Sequence, residues 1–157
     1  MAETPDQVER FRSPGAARTA EIAVALAAEL RPGDVVLLHG DLGAGKTTFV
    51  RGAARALGVS EPVTSPTFTI GQRYAGDVPV SHLDLHRLAG ADGLAGEDPA
   101  LLDDYLTADA IAFIEWPGAA EPLLGADRHV AARVELRHAG GDDREVKVDP
   151  ARGEERG

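Results

Sequence analysis

The chain has 157 residues, a formal net charge of −10 and no cysteine. That length holds one domain around one core, and the missing thiols exclude disulfides, thiolate zinc sites and cysteine nucleophiles. The acidic balance argues against direct DNA binding or a main RNA surface, which needs basic patches, and it permits docking onto a basic protein.

Residues 1–12 read as a flexible N-terminus, polar and acidic at Met1-Ala2-Glu3-Thr4-Pro5-Asp6 and unlike a secretory leader. No apolar run reaches the ~18 residues of a membrane span, so a cytoplasmic location is expected. Ser13-Pro14 suits a helix start, and Ile22, Leu26 and Leu30 repeat every fourth residue, which predicts an amphipathic helix over 16–30. Arg31-Pro32-Gly33-Asp34 is a turn, and the apolar run that follows, to His39, reads as a buried strand. A second helix is predicted from Phe49, Val50, Ala53, Ala54 and Leu57, with Gly58 as its stop. Residues 67–74 have β character, and residues 78–85 form another strand with Val80, His82 and Asp84 on one face. A Gly/Ala/Asp loop over 89–99 and a short helical piece over 101–106 come next. The continuous apolar run Ala110-Ile111-Ala112-Phe113-Ile114 marks a central strand buried on both faces. Residues 129–138 alternate, Gly140-Gly141-Asp142-Asp143 is a hairpin turn, and 145–148 is the return strand. Residues 150–157 read as a disordered tail. The order predicts an α/β domain over 13–149: a three-layer P-loop NTPase fold with a mixed, mainly parallel central sheet and a C-terminal antiparallel hairpin.

Between the first strand and the second helix stands Gly40-Asp41-Leu42-Gly43-Ala44-Gly45-Lys46-Thr47, which fits G-x-x-x-x-G-K-[ST] at every fixed position. The glycines let backbone N–H groups face a polyphosphate, Lys46 reaches its β/γ oxygens, and the Thr47 hydroxyl suits Mg²⁺. Only Lys46 and Lys147 are lysine in a chain that otherwise uses arginine. A narrow anion hole favours a compact point charge over a planar fork.

Two strands end in an acid, Asp84 after Val80-Ser81-His82-Leu83 and Glu115 after the apolar run. The carboxyl ends of strands in an open α/β sheet face the ligand crevice, which sets both acids beside the loop. Glu115 is assigned to Mg²⁺ and Asp84 to positioning or activating the attacking water, with the reverse assignment open. Ser65, Pro66 and Thr67 have the composition of a switch loop able to sense a γ-phosphate. Trp116 stands beside Glu115, where closing over the site, a core role and a partner-facing role are equally open. His82 and His86 lack a third ligand at metal spacing, so zinc is not expected. The chain has no asparagine and hence no [NT]-K-x-D guanine element. Arg73, Arg87 and Arg128 are too dispersed for a kinase lid, yet a small-molecule kinase and a nucleotide-sensing module that hardly hydrolyses remain the alternatives.

Taken in order, the stretch Gly40 to Phe49, Ser65-Pro66-Thr67-Phe68, His82-Leu83-Asp84-Leu85-His86-Arg87-Leu88, Asp104-Tyr105 and Glu115-Trp116-Pro117 resembles the bacterial TsaE (YjeE) family over residues 13–148. The resemblance implies a partner-gated ATPase that uses ATP and Mg²⁺. It also implies a place in making N6-threonylcarbamoyladenosine at tRNA position 37 with the proteins TsaD and TsaB, the RNA being met only through that complex. It implies further that Asp41, Leu42, Gly43, Ala44, Gly45, Lys46, Thr47 and Thr48 bind nucleotide, that Thr47 and Glu115 bind Mg²⁺, and that Asp84 is needed for hydrolysis, with Lys46 and Glu115 completing the catalytic set. Thr19, where the family's first helix begins, is expected near the nucleotide base, and Arg144 is expected to contact nucleotide. One departure is His86, where the family has tyrosine in H-x-D-x-Y-R.

Overall fold

The structure is a computed structural model that describes residues 8–40, 43–64, 70–85, 102–116 and 129–150. The elements run β1 (Glu9–Ser13), α1 (Ala16–Ala27), β2 (Asp34–Gly40), α2 (Lys46–Ala56), β3 (Gly71–Tyr74), β4 (Val80–Asp84), β5 (Ile111–Glu115), β6 (His129–His138) and β7 (Arg144–Pro150). The seven strands form one sheet in the order β1-β7-β6-β2-β5-β4-β3. The centre is parallel, β2 lying between β6 and β5 and β5 pairing with β4. Antiparallel pairs close both sides, β7 and β1 beyond β6, and β3 beyond β4.

The apolar runs explain the centre. Val35, Val36, Leu37 and Leu38 of β2 and Ile111 to Ile114 of β5 are all buried, as strands packed on both faces must be. On one face α1 and α2 pack side by side, contributing Ile22, Ala23, Leu26, Phe49, Val50 and Ala53 against Val36, Leu38 and Phe113. Their closeness needs Gly52, where a Cβ would stand 2.8 Å from the Ala20 carbonyl oxygen. On the other face Leu102 and Leu106, from a helical turn, cover Leu37, Leu83, Leu85 and Ile114 with Ile70 and Trp116 at the margin. The three expected layers are therefore present. Among the described residues the second covering layer is that single turn.

Several boundaries differ from expectation. Residues 9–12, read as part of a flexible terminus, belong to β1, which pairs with β7 from Glu9↔Val148 to Ser13↔Arg144. Pro150, assigned to the tail, still pairs with Ala132 at the end of β7. Helix α1 stops at Ala27 rather than at residue 30, because Glu29 and Leu30 close tighter turns onto Leu26 and Ala27. The expected flexible residues 1–7, the loop over 89–99 and residues 151–157 lie outside the described residues.

Candidate phosphate-loop site

Strand β2 ends at Gly40 and α2 begins at Lys46, so the loop between them delivers a helix N-terminus to the carboxyl end of the parallel strands. Gly43 and Gly45 have φ of 76° and 104° around Ala44, which is fully buried. Alternating the hand of successive residues turns their N–H groups toward one side and makes an anion-binding concavity. A residue with a Cβ would be strained at either glycine.

Three parallel strands end level with one another. Leu38 of β2 pairs with Glu115 of β5, and Glu115 with Asp84 of β4. Glu115 and Asp84 lie on the sheet face that carries α2. Glu115 is only 3% exposed. Its Oε2 accepts a hydrogen bond from the Thr47 hydroxyl at 3.0 Å, joining residues 68 positions apart, and lies 2.6 Å from His82 Nε2. Asp84 is half-buried, and its backbone N–H donates to the Ile70 carbonyl at 2.8 Å. Both strand-end acids thus stand where the strand pattern predicts, one deep and one nearer solvent.

His82 is fully buried, and the reading of the sequence gave it no part in the site. Its Nε2 faces the carboxylate and donates, while Nδ1 has no hydrogen-bond partner among the described residues. A carboxylate oxygen only accepts, so the ring nitrogen that faces it is the one that carries a proton. His82 therefore holds Glu115 from below as Thr47 holds it from above. The signal was its place two residues before Asp84 on the same strand face, but the neighbour it meets lies 33 positions away.

Lys46 is 5% exposed, donates to the Gly40 carbonyl at 2.8 Å and lies 4.5 Å from the centre of the Trp116 ring. Trp116 has φ of 59°, a left-handed conformation that costs a non-glycine residue about 1 kcal/mol or more. Its N–H bonds to the Leu38 carbonyl at 3.3 Å, and its side chain packs on the second core cluster, so the surroundings hold the turn. Trp116 thus combines two of the roles open to it, packing on the core and lying against the loop lysine.

From the hairpin side, Arg144 donates to the Gly43 carbonyl at 3.2 Å. Thr48 is half-buried in the first turn of α2. Thr19 is 2% exposed, with its hydroxyl 2.7 Å from Ser13 Oγ, so the structure places it in the packing of α1 against β1. Asp41, Leu42, Ser65, Pro66, Thr67 and His86 lie outside the described residues.

The residues fit a magnesium nucleotide. A hydroxyl and a carboxylate stand together at a helix N-terminus behind an anion-binding loop and a lysine. Among the described residues no group of three or more His, Asp or Glu is placed to hold a metal by itself. Magnesium commonly takes few protein ligands and completes its shell with phosphate oxygens and water.

Residues 13–146 match the family model described as threonylcarbamoyl adenosine biosynthesis protein TsaE. The chain belongs to the TsaE family. It is 38% identical over 138 residues to a Bacillus subtilis protein named tRNA threonylcarbamoyladenosine biosynthesis protein TsaE, covering 87% of this chain and 82% of that one. It is 42% identical over 125 residues to a Streptomyces coelicolor protein of the same name, covering 78% and 80%. A crystal structure of Bacillus subtilis YdiB superposes with a TM-score of 0.72 at 32% identity, covering 92% of this chain and 86% of that one. The matched range spans every element from the start of α1 to the first residues of β7. No described helix is long and apolar enough to cross a membrane.

Proposed function

We propose that this TsaE-family chain binds ATP with Mg²⁺ and hydrolyses it to drive or reset a TsaB–TsaD complex that makes threonylcarbamoyladenosine in tRNA. The observation that carries the proposal is the Thr47–Glu115 contact beside Lys46 at the start of α2. Sequence separation alone gives no reason for these groups to meet, and Mg²⁺ held there would neutralise charge on the β and γ phosphates. Thr47 and Glu115 are the groups that would hold the ion, with Glu115 oriented by His82. Lys46 would leave its contact with Gly40 for the phosphate oxygens. Residues 41–48 form the cradle, and Ser65, Pro66 and Thr67 are the proposed segment that senses the γ-phosphate. Asp84, nearer solvent than Glu115, is the better-placed acid to orient the attacking water. The names of the relatives support the pathway, and the acidic charge suits a partner ATPase working in the cytoplasm while other proteins hold the RNA.

The test is ATPase activity of the purified chain with Mg²⁺, alone and with TsaB and TsaD from the same organism. Turnover that is low alone and rises with the pair is the expected result. Turnover indifferent to the pair but raised by a small-molecule acceptor indicates a kinase instead, and tight binding without turnover in either setting indicates a sensor. Asp84→Ala is expected to keep ATP affinity within about twofold and to lose about 100-fold in turnover. Loss of binding and of folded stability together would make Asp84 structural.

A further inference from the structure

We propose that Arg144 positions the phosphate loop through its backbone, without touching the nucleotide, and that Arg12 of the edge strand completes this brace. The proposal rests on the nucleotide-binding reading above. Among the described residues the hydrogen bonds of the Arg144 guanidinium go to backbone carbonyls: Asp143 at 3.0 Å, Gly141 at 3.3 Å and Gly43 at 3.2 Å. One side chain therefore ties the β6–β7 turn to the middle of the loop.

The consequence for the loop follows from peptide geometry. In a trans peptide the C=O and the next N–H point in opposite directions. Fixing the Gly43 carbonyl on Arg144 aims the Ala44 N–H away from the hairpin, to the side where an anion seated at the start of α2 would lie. Gly43 places few limits on its own ψ, one of the two torsions that turn the 43–44 peptide, so the tie to Arg144 restrains the side of that peptide its residue type leaves loose. The anchor itself needs holding, since Gly140 and Gly141 both have positive φ, 102° and 55°. Arg12 does this from β1. Its guanidinium bonds to Asp143 Oδ2 at 3.0 and 3.3 Å and to the Ala139 carbonyl at 3.3 Å, spanning the two ends of the turn. A strand far from the loop in the sheet order thus reaches it through two arginines.

The Arg12–Asp143 pair has side chains 66% and 38% exposed, so it adds little to global stability. Its effect is on which loop conformation is populated, and a ligand's apparent affinity scales with the competent fraction. That separates the brace from a merely structural contact.

The experiment measures ADP affinity for the wild-type chain, Arg144→Ala, Arg144→Lys, Arg12→Ala and the Arg12→Ala/Arg144→Ala double variant, together with ligand-free backbone amide order parameters of Gly43 to Gly45. Arg144→Ala and Arg144→Lys are both expected to bind about tenfold more weakly, since lysine cannot reproduce a fork across three carbonyls. Arg12→Ala is expected to lose about threefold, with melting temperature unchanged, and the double variant to be no weaker than Arg144→Ala. The order parameters are expected to fall from about 0.85 toward 0.6 in Arg144→Ala. Wild-type affinity in Arg144→Lys or Arg12→Ala, or losses that multiply in the double variant, would overturn the brace in favour of direct charge contact. A wild-type chain that binds no adenine nucleotide would defeat the nucleotide reading instead. The order parameters then decide the brace alone, and values unchanged by Arg144→Ala reject it.

Discussion

The parallel centre of the sheet and its antiparallel wing treat charge in opposite ways. In the centre, Glu115 at the end of β5 is 3% exposed and is held by Thr47 and His82. In the wing, Glu135 of β6 meets Arg137 at 2.9 Å and Lys147 of β7 at 4.0 Å on a face not covered by α1 or α2. A buried carboxylate costs several kcal/mol unless every neighbour is arranged for it, whereas exposed pairs contribute at most about 1 kcal/mol. The contrast sets a buried acid with two side-chain partners in the centre against solvent-facing ion pairs in the wing.

Substitutions on the two sides should break the molecule to different degrees. Phe113→Ala in β5 removes a fully buried ring from the main core and is expected to cost about 3–5 kcal/mol, read by urea unfolding. Lys46→Ala should weaken ATP affinity about 100-fold, measured by calorimetric titration, while leaving the unfolding midpoint nearly unchanged; unaltered affinity would sink the phosphate-loop assignment. His82→Leu keeps the volume but takes away the donor to Glu115, with an expected loss of about 1–3 kcal/mol. In the wing, Glu135→Ala should change stability by less than about 0.5 kcal/mol. A wing substitution as costly as His82→Leu would erase the contrast.

The same contrast explains what could be read from the sequence. The loop was legible because its chemistry demands fixed residue types at fixed spacing from Gly40 to Thr47. Glu115 was legible because a strand buried on both faces leaves an uninterrupted apolar run before it. Strand β1 was not, since Glu9-Arg10-Phe11-Arg12-Ser13 carries one apolar side chain, and its partner β7 begins at residue 144. Edge strands bury little and so leave little pattern. The His82–Glu115 contact was hidden for another reason: it crosses between two strands whose neighbourhood only the sheet order decides. Thr19 was expected near a nucleotide base from its place at the start of a helix, yet its hydroxyl is bonded to Ser13, a residue whose burial depends on β1 being there.

The central claim is that Thr47 and Glu115 form the magnesium side of a nucleotide site. Its most direct test is ATP titration into the wild-type chain and Glu115→Gln, each with Mg²⁺ and with EDTA in its place. The expected result is wild-type binding at least about tenfold tighter with Mg²⁺, and a Glu115→Gln chain that stays folded but has lost that difference. Equal wild-type affinity with and without Mg²⁺, or a Glu115→Gln chain that keeps the full magnesium dependence, would contradict it.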